Sequence, residues 1–371
     1  MISCQTIIEA MEKIAPHNLA EEWDNPGLLI GDPAQKINKL IVCLDVNNNV
    51  INTALKEKCD MIISHHPFIF HPLKKIRTDL PQGKSIQTLL ANNIAVFAAH
   101  TNLDSALGGI NDYLCHLWGL HNTIPLNTAS TEELIKLIVF VPVDYAEKVR
   151  LAIGKAGAGF VGKYSNCSFE SNGTGHFLPL PGTNPFIGEI GKTASVNETK
   201  IETIFPAKIQ SKVIKAMLKA HPYEEAAYEL HSLKPTNIFT GLGRIGELST
   251  AIDLEDFTAM IKNTLPVKNI RLVKSNNKKI KKAALCSGTG AEFINRAKFM
   301  GADIYITGDV KYHEAQKAQE LNMNLIDAGH FGTEFPIVKY LAKKLETIAT
   351  KNKWQIKVLH DKASVDPFTV I

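Results

Sequence analysis

The sequence has no run of 18 consecutive apolar residues, so no membrane span is expected. Its six cysteines (Cys4, Cys43, Cys59, Cys115, Cys167, Cys286) contain no CxxC pair and no framework spacing, which argues against a disulfide scaffold. Several sit in apolar runs, Cys43 in LIVCLDV and Cys286 in AALCSG, as free buried thiols do in a reducing compartment. The opening MISCQTIIEAMEKIAP alternates at helical spacing and has no signal-peptide core, so a cytoplasmic location is expected. Charge of one sign is scarce too, with 41 Lys+Arg against 37 Asp+Glu and a net charge of +4. The tight basic run Lys278, Lys279, Lys281 and Lys282 reads as a solvated turn, and nucleic acid is not an expected partner. Internal repeats and low-complexity tracts are also lacking.

What remains is an ordinary globular composition, 45% hydrophobic and 21% charged, on a 371-residue chain long enough for two or three domains. Residues 1–129 and 237–371 alternate short β-rich runs with amphipathic helical stretches, the pattern of a mostly parallel α/β layer. The expected strands are 39–46 (KLIVCLDV), 60–64 (DMIIS), 94–99 (IAVFAA), 282–286, 303–307 (DIYIT) and 324–327 (NLID). They are nearly continuous apolar runs, as in strands covered on both faces. Helices are expected over 49–58, 84–92 and 106–118. Residues 130–236 read differently, in the order βαββαβ: strand 134–141, helix 144–155, a Gly/Pro/Asn-rich hairpin, helix 210–221 and strand 226–230. That order is ferredoxin-like. Turn chemistry at 127–130 and 234–237 marks the junctions of an inserted α+β domain in a discontinuous main α/β domain.

Three expected strands end in potential metal ligands. DMIIS runs into His65-His66-Pro67, IAVFAA into His100-Thr101-Asn102-Leu103-Asp104, and NLID into Ala328-Gly329-His330 with Glu334 four residues on. In open α/β sheets ligands bind beyond the carboxyl ends of the strands, so the fold delivers these distant residues to one place. Adjacent His65 and His66 point in different directions and suit two metals better than one. A helix starting near Gly329 puts His330 and Glu334 on one face of its first turn, where the helix dipole favours the carboxylate. Three histidines and two carboxylates without a thiolate suit Zn²⁺ first, then Mn²⁺, Fe²⁺ or Co²⁺. Two such ions about 3.5–4 Å apart activate a bridging water, with Glu334 favoured over Asp104 as the bridging side chain.

Softer candidates each have a structural alternative. Ser287-Gly288-Thr289-Gly290 reads as an anion cradle or as a tight strand-to-helix turn. Asp309 and His313 read as groups supporting the ligands or working as acid and base, or as a helix cap and a surface histidine. His100 is expected to support Asp104. Trp23-Asp24-Asn25-Pro26-Gly27 is a rigid turn that rims the cleft or packs the first helix. His221-Pro222-Tyr223-Glu224-Glu225 reads as a turn after a helix rather than as ligands.

Taken together, EEWDNPGLLIGD, SHHP, HTNLD, TGDVKYHEA and DAGHFGTE resemble the Ngg-interacting-factor-three-like family, whose bacterial members carry the label GTP cyclohydrolase 1 type 2 homolog. The match spans most of the main domain. The resemblance implies a dinuclear centre with two divalent ions per subunit on His65, His66, Asp104, His330 and Glu334, all present here. It also implies a PII/CutA-like middle insert, ending here in HPYEEAAYEL, and a homohexameric toroid. The implied activity is metal-dependent hydrolysis of a small, nucleotide-like substrate, with opening of the guanine ring as the labelled case. The alternative is a regulatory or scaffold protein whose ring and PII-like insert sense a ligand or dock a partner.

Overall fold

The continuous apolar runs fold as short strands buried on both faces, and their alternating side chains feed different cores. In the computed structural model, which describes residues 2–128, 133–161, 164–233 and 240–369, the chain divides into two compact units, Met1–Ser130 with Ile238–Ile371, and Thr131–Asn237. The 129–130 and 234–237 parts of the expected junctions lie outside the described residues.

Where a mostly parallel sheet is expected, the first unit contains two larger mixed sheets. The five-stranded sheet runs in the order Lys357–His360, Lys39–Cys43, Met61–Ser64, Ala95–Ala98, Gly27–Ile30, parallel except for the last pair. The six-stranded sheet runs Arg271–Val273, Asn324–Asp327, Ile304–Gly308, Ile280–Thr289, Gly241–Ile252, His121–Thr128. Only its Asn324–Asp327/Ile304–Gly308 and Ile304–Gly308/Ile280–Thr289 pairs are parallel. The antiparallel strands escape a sequence reading because GLGRIGELSTAI and HNTIPLNT carry glycine, proline and polar residues where an apolar run would announce a strand.

Burial shows how the layers stack. Leu40, Val42, Met61 and Ile63 from the first sheet share one core with Leu285, Ile304, Ile306 and Ile326 from the second. Helices Cys4–Ile14, Ile110–Leu117, Leu254–Thr264 and Pro336–Lys351 join that core through Ile7, Leu114, Phe257 and Leu341. The intervening residues Ile41, Cys43, Ile62 and Val96 face an outer layer with helices Asn48–Glu57 and Pro81–Ala91, while Ala284, Cys286, Tyr305 and Leu325 do the same on the far side. The expected helix over 106–118 is the shorter Ile110–Leu117, and a separate five-residue helix, Thr101–Ser105, precedes it across residues 106–109.

The insert contains strand Leu134–Pro142, helix Ala146–Ala156, strands Phe169–Phe177 and Ala194–Pro206, helix Gln210–Ala220 and strand Tyr228–Leu233. Its sheet is antiparallel throughout, in the order Tyr228–Leu233, Leu134–Pro142, Ala194–Pro206, Phe169–Phe177. Leu134–Pro142 alternates buried and half-buried residues, as a sheet covered on one face requires. The covered face packs Leu137, Val139, Ile201 and Phe205 against Val149, Ile153, Val213 and Met217. Among the described residues, no helix is long and apolar enough to cross a membrane.

Candidate metal centre

The parallel strands of both sheets of the first unit deliver polar residues at their carboxyl ends. Asp45 follows Lys39–Cys43, His65 and His66 follow Met61–Ser64, and His100 follows Ala95–Ala98. From the second sheet come Asp309 after Ile304–Gly308 and His330 after Asn324–Asp327. Helix His330–Glu334 starts at Gly329, whose φ of +78° suits a residue without a Cβ, and brings His330 Nε2 to 3.0 Å from Glu334 Oε2.

At the deepest point His65 is buried, and its Nδ1 donates to the Ala99 carbonyl at 2.8 Å. That bond turns Nε2 inward, where it has no hydrogen-bond partner. Asp104 Oδ1 lies 3.6 Å from this nitrogen and Glu334 Oε1 3.7 Å. The imidazole nitrogen and the two carboxylates thus face one small volume with His65 Nε2 unpartnered, an arrangement that a cation satisfies. Burial works against charge on His65, but Asp104 and Glu334 outweigh it and raise its pKa above the ordinary histidine value. A positive charge is favoured at Nε2, whether a proton or a metal ion carries it.

Nearer the surface, Glu334 Oε2 lies 2.8 Å from His66 Nε2, and the His66 and His330 Nε2 atoms are 3.3 Å apart. Each outer nitrogen is tied to an aspartate, His66 Nδ1 to Asp45 at 2.8 Å and His330 Nδ1 to Asp309 at 2.7 Å. Burial alone would lower both histidines; the flanking carboxylates override it and bring His66 to about 10 and His330 to about 9. Burial would raise Glu334, but the surrounding imidazoles hold its carboxyl well below the usual range. A carboxylate behind each imidazole is the arrangement that orients histidine ligands toward a metal.

The His100 carbonyl accepts from Asp104 N at 3.1 Å, while its side chain is held elsewhere. Its Nδ1 bonds Asp24 at 2.7 Å, and Asp24 also accepts from Thr101 N at 3.0 Å and Thr101 Oγ1 at 2.5 Å. Burial of Asp24 would raise its pKa, yet these bonds bring it to about 2. Ligand-type atoms of His65, His66 and His100 form one group within 4.8 Å of one another, and those of His66, His330 and Glu334 form a second; either group could hold a metal ion. Asp104 enters neither group, although its carboxylate faces His65.

Ser287-Gly288-Thr289-Gly290 is not an open anion cradle. The Ser287 N–H donates to Asn111 Oδ1 and the Gly288 N–H to Thr333 Oγ1, both at 2.9 Å. Gly288, at φ +59°, instead leaves room for the centre: a Cβ there would sit 2.1 Å from Glu334 Oε1. His313 is a surface histidine bonded to Gln316. His221 closes the helix before it, donating from Nε2 to Phe140 O at 2.9 Å and accepting at Nδ1 from Tyr223 N at 3.1 Å. Asp45 was missed in the sequence, and the signal it offered was one charged residue ending the apolar run LIVCL. The support behind Asp104 was missed as well. Asn111 Nδ2 donates to the Asp104 carbonyl at 3.0 Å, and the buried Arg244 guanidinium pairs with Asp112 and donates to Ala106 O at 3.1 Å.

The fold and cluster define a mixed α/β protein with a buried imidazole–carboxylate site able to hold metal. Residues 2–367 match the model of Duf34/NIF3 (NGG1p interacting factor 3), and the chain belongs to that family. It is 41% identical over 370 residues to the GTP cyclohydrolase 1 type 2 homolog of Bacillus subtilis, covering 100% of this chain and 99% of the relative. A crystal structure of a Bacillus cereus protein related to NIF3 superposes with a TM-score of 0.78 at 42% identity, covering 100% of this chain and 99% of that one. A Staphylococcus aureus protein gives 0.86 at 30% identity with the same coverage.

Proposed function

We propose that this chain is a metal-dependent hydrolase of a small, nucleotide-like molecule, with two divalent ions held by His65, His66, Asp104, His330 and Glu334. The observation that carries the reading is the partnerless Nε2 of His65 facing the Asp104 and Glu334 carboxylates. Glu334 supports the bridging role, because Oε1 faces His65 while Oε2 faces His66 and His330. Zn²⁺ suits this donor set best, with Mn²⁺, Fe²⁺ and Co²⁺ as alternatives. When bound, an ion pair of this kind activates water and polarises the substrate. The protein's own part is to hold the imidazoles through Ala99 O, Asp45 and Asp309 and to place a proton carrier beside them. His100, oriented by Asp24, suits that last role.

The name borne by the Bacillus subtilis relative suggests a guanine nucleotide as the first substrate to try. Metal-replete protein should release formate from GTP, and His66→Ala should lower that rate about a hundredfold or more while the protein stays folded. Formate release that the substitution leaves untouched would remove the hydrolase reading.

A regulatory reading draws on the insert. Its βαββαβ order is ferredoxin-like, in keeping with the PII/CutA-like character implied by the resemblance, and it has a hydrophobic core of its own. Among the described residues, both groups able to hold metal lie in the other unit. The family resemblance also supports a hexameric ring, which light scattering on purified protein checks.

A further inference from the structure

Two aromatic rings stand open to solvent beside the cluster. Trp23 is 58% exposed and Phe70 37%, with ring centroids 5.9 Å apart and planes inclined at 50°. Single exposed apolar side chains are common and need no explanation. These two differ because both meet His100 edge-on, Trp23 at 6.0 Å and Phe70 at 6.3 Å, while His100 lies 5.3 Å from His65 and 5.6 Å from His66.

The segments that carry the two rings are also held in place. Asp24, next to Trp23 in the chain, is fixed by His100 and Thr101, and Glu21 N donates to Thr101 Oγ1 at 3.0 Å. Asn25 Nδ2 reaches across to Ile69 O at 2.6 Å, tying the Trp23 turn to the segment that carries Phe70. One buried carboxylate therefore orients an imidazole into the cluster and anchors the turn that presents the indole. Aromatic side chains, with only two rotatable bonds, lose little conformational freedom on binding, and a flat π-system stacks on them whatever its hydrogen-bonding edge.

We infer that Trp23 and Phe70 form a stacking platform for a planar heteroaromatic ring of nucleobase size on the substrate, delivering its reactive carbon toward His65, His66 and His100. This rests on the hydrolase reading and adds to it the class of group recognised and the residues that recognise it. The platform selects for a flat ring rather than for a sugar or phosphate.

The test is calorimetric titration of the metal-replete full-length protein with guanosine, adenosine and ribose 5-phosphate, with elemental analysis and light scattering on each variant. Both nucleosides should bind at least about tenfold more tightly than ribose 5-phosphate. Trp23→Ala should weaken nucleoside binding about tenfold and Phe70→Ala by a smaller factor, whereas Trp23→Phe should keep most of the affinity. Metal content should not change in any of them. If Trp23→Ala folds poorly, Trp23→Leu, apolar but without a π-face, decides in its place. Nucleosides that bind no better than ribose 5-phosphate, or an affinity indifferent to Trp23→Ala, would overturn the inference. A drop in oligomer mass with nucleoside affinity intact would overturn it in favour of a subunit contact. Failure of the metal reading would show separately, as wild-type protein without metal whose nucleoside titrations remain sensitive to Trp23.

Discussion

Two buried histidines, one in each unit, differ in what their second ring nitrogen meets. His65 and His221 are 1% and 7% exposed, and each donates from one ring nitrogen to a backbone carbonyl. In the insert the second nitrogen of His221 accepts from the Tyr223 N–H, so nothing is left over. In the main unit the second nitrogen of His65 is left facing two carboxylates with no proton donor. Burial is common to both, so burial alone identifies no site. The leftover valence does.

The strongest way to break this contrast is to neutralise the carboxylate that three imidazoles share. Glu334→Gln should cost about 3–5 kcal/mol of metal binding, a hundredfold or more in affinity, and elemental analysis should find almost no metal retained. Retention at the wild-type level would mean that the ions lie elsewhere. A paired substitution sharpens the contrast next. His221→Ala should destabilise the insert by about 2–3 kcal/mol, because it strands the Phe140 carbonyl and the Tyr223 N–H, and should leave metal content alone. His65→Ala should do the reverse, with its main effect on metal content; calorimetric melts and elemental analysis read both.

Smaller effects should come from the groups behind the proposed ligands. Asp45→Asn and Asp309→Asn should each weaken metal affinity about 10–100-fold, measured by competition with a chelating dye. Smallest of all, the two units should respond to pH in opposite directions. In metal-free protein His66 and His330 are raised from 6.5 to about 10 and about 9, so their contribution is complete below pH 6.5 and fades as pH climbs through 9 and 10. Burial lowers His221 below 6.5, so its contribution is complete above pH 6.5 and fades as acid carries the pH through its folded value. Melts of the metal-free protein across pH 5–10 should show both slopes, and His221→Ala should flatten the acid one alone.

Much of this was legible in the sequence wherever one physical rule dominated. Strands buried on both faces must be apolar throughout, and LIVC, MIIS and NLID announce themselves on that ground. The His330/Glu334 spacing reads directly as one helical turn. Gly241–Ile252 was illegible, since its pairing with His121–Thr128 and Ile280–Thr289 is a long-range fact that glycine and serine do not advertise. For the same reason a string of strands could not say that two sheets were present. The roles of Asp24, Asp45 and Arg244 depend on partners 76, 21 and 132 residues away, and a lone charged residue does not disclose its partner.

Gly288 carries a lesson for anyone comparing such chains. One methyl group at that position would overlap Glu334 Oε1 and come within 3.4 Å of His330 Nε2, displacing the carboxylate while every candidate ligand stayed in the sequence. A relative with alanine there would pass any inspection of its histidines and acids and still be mute.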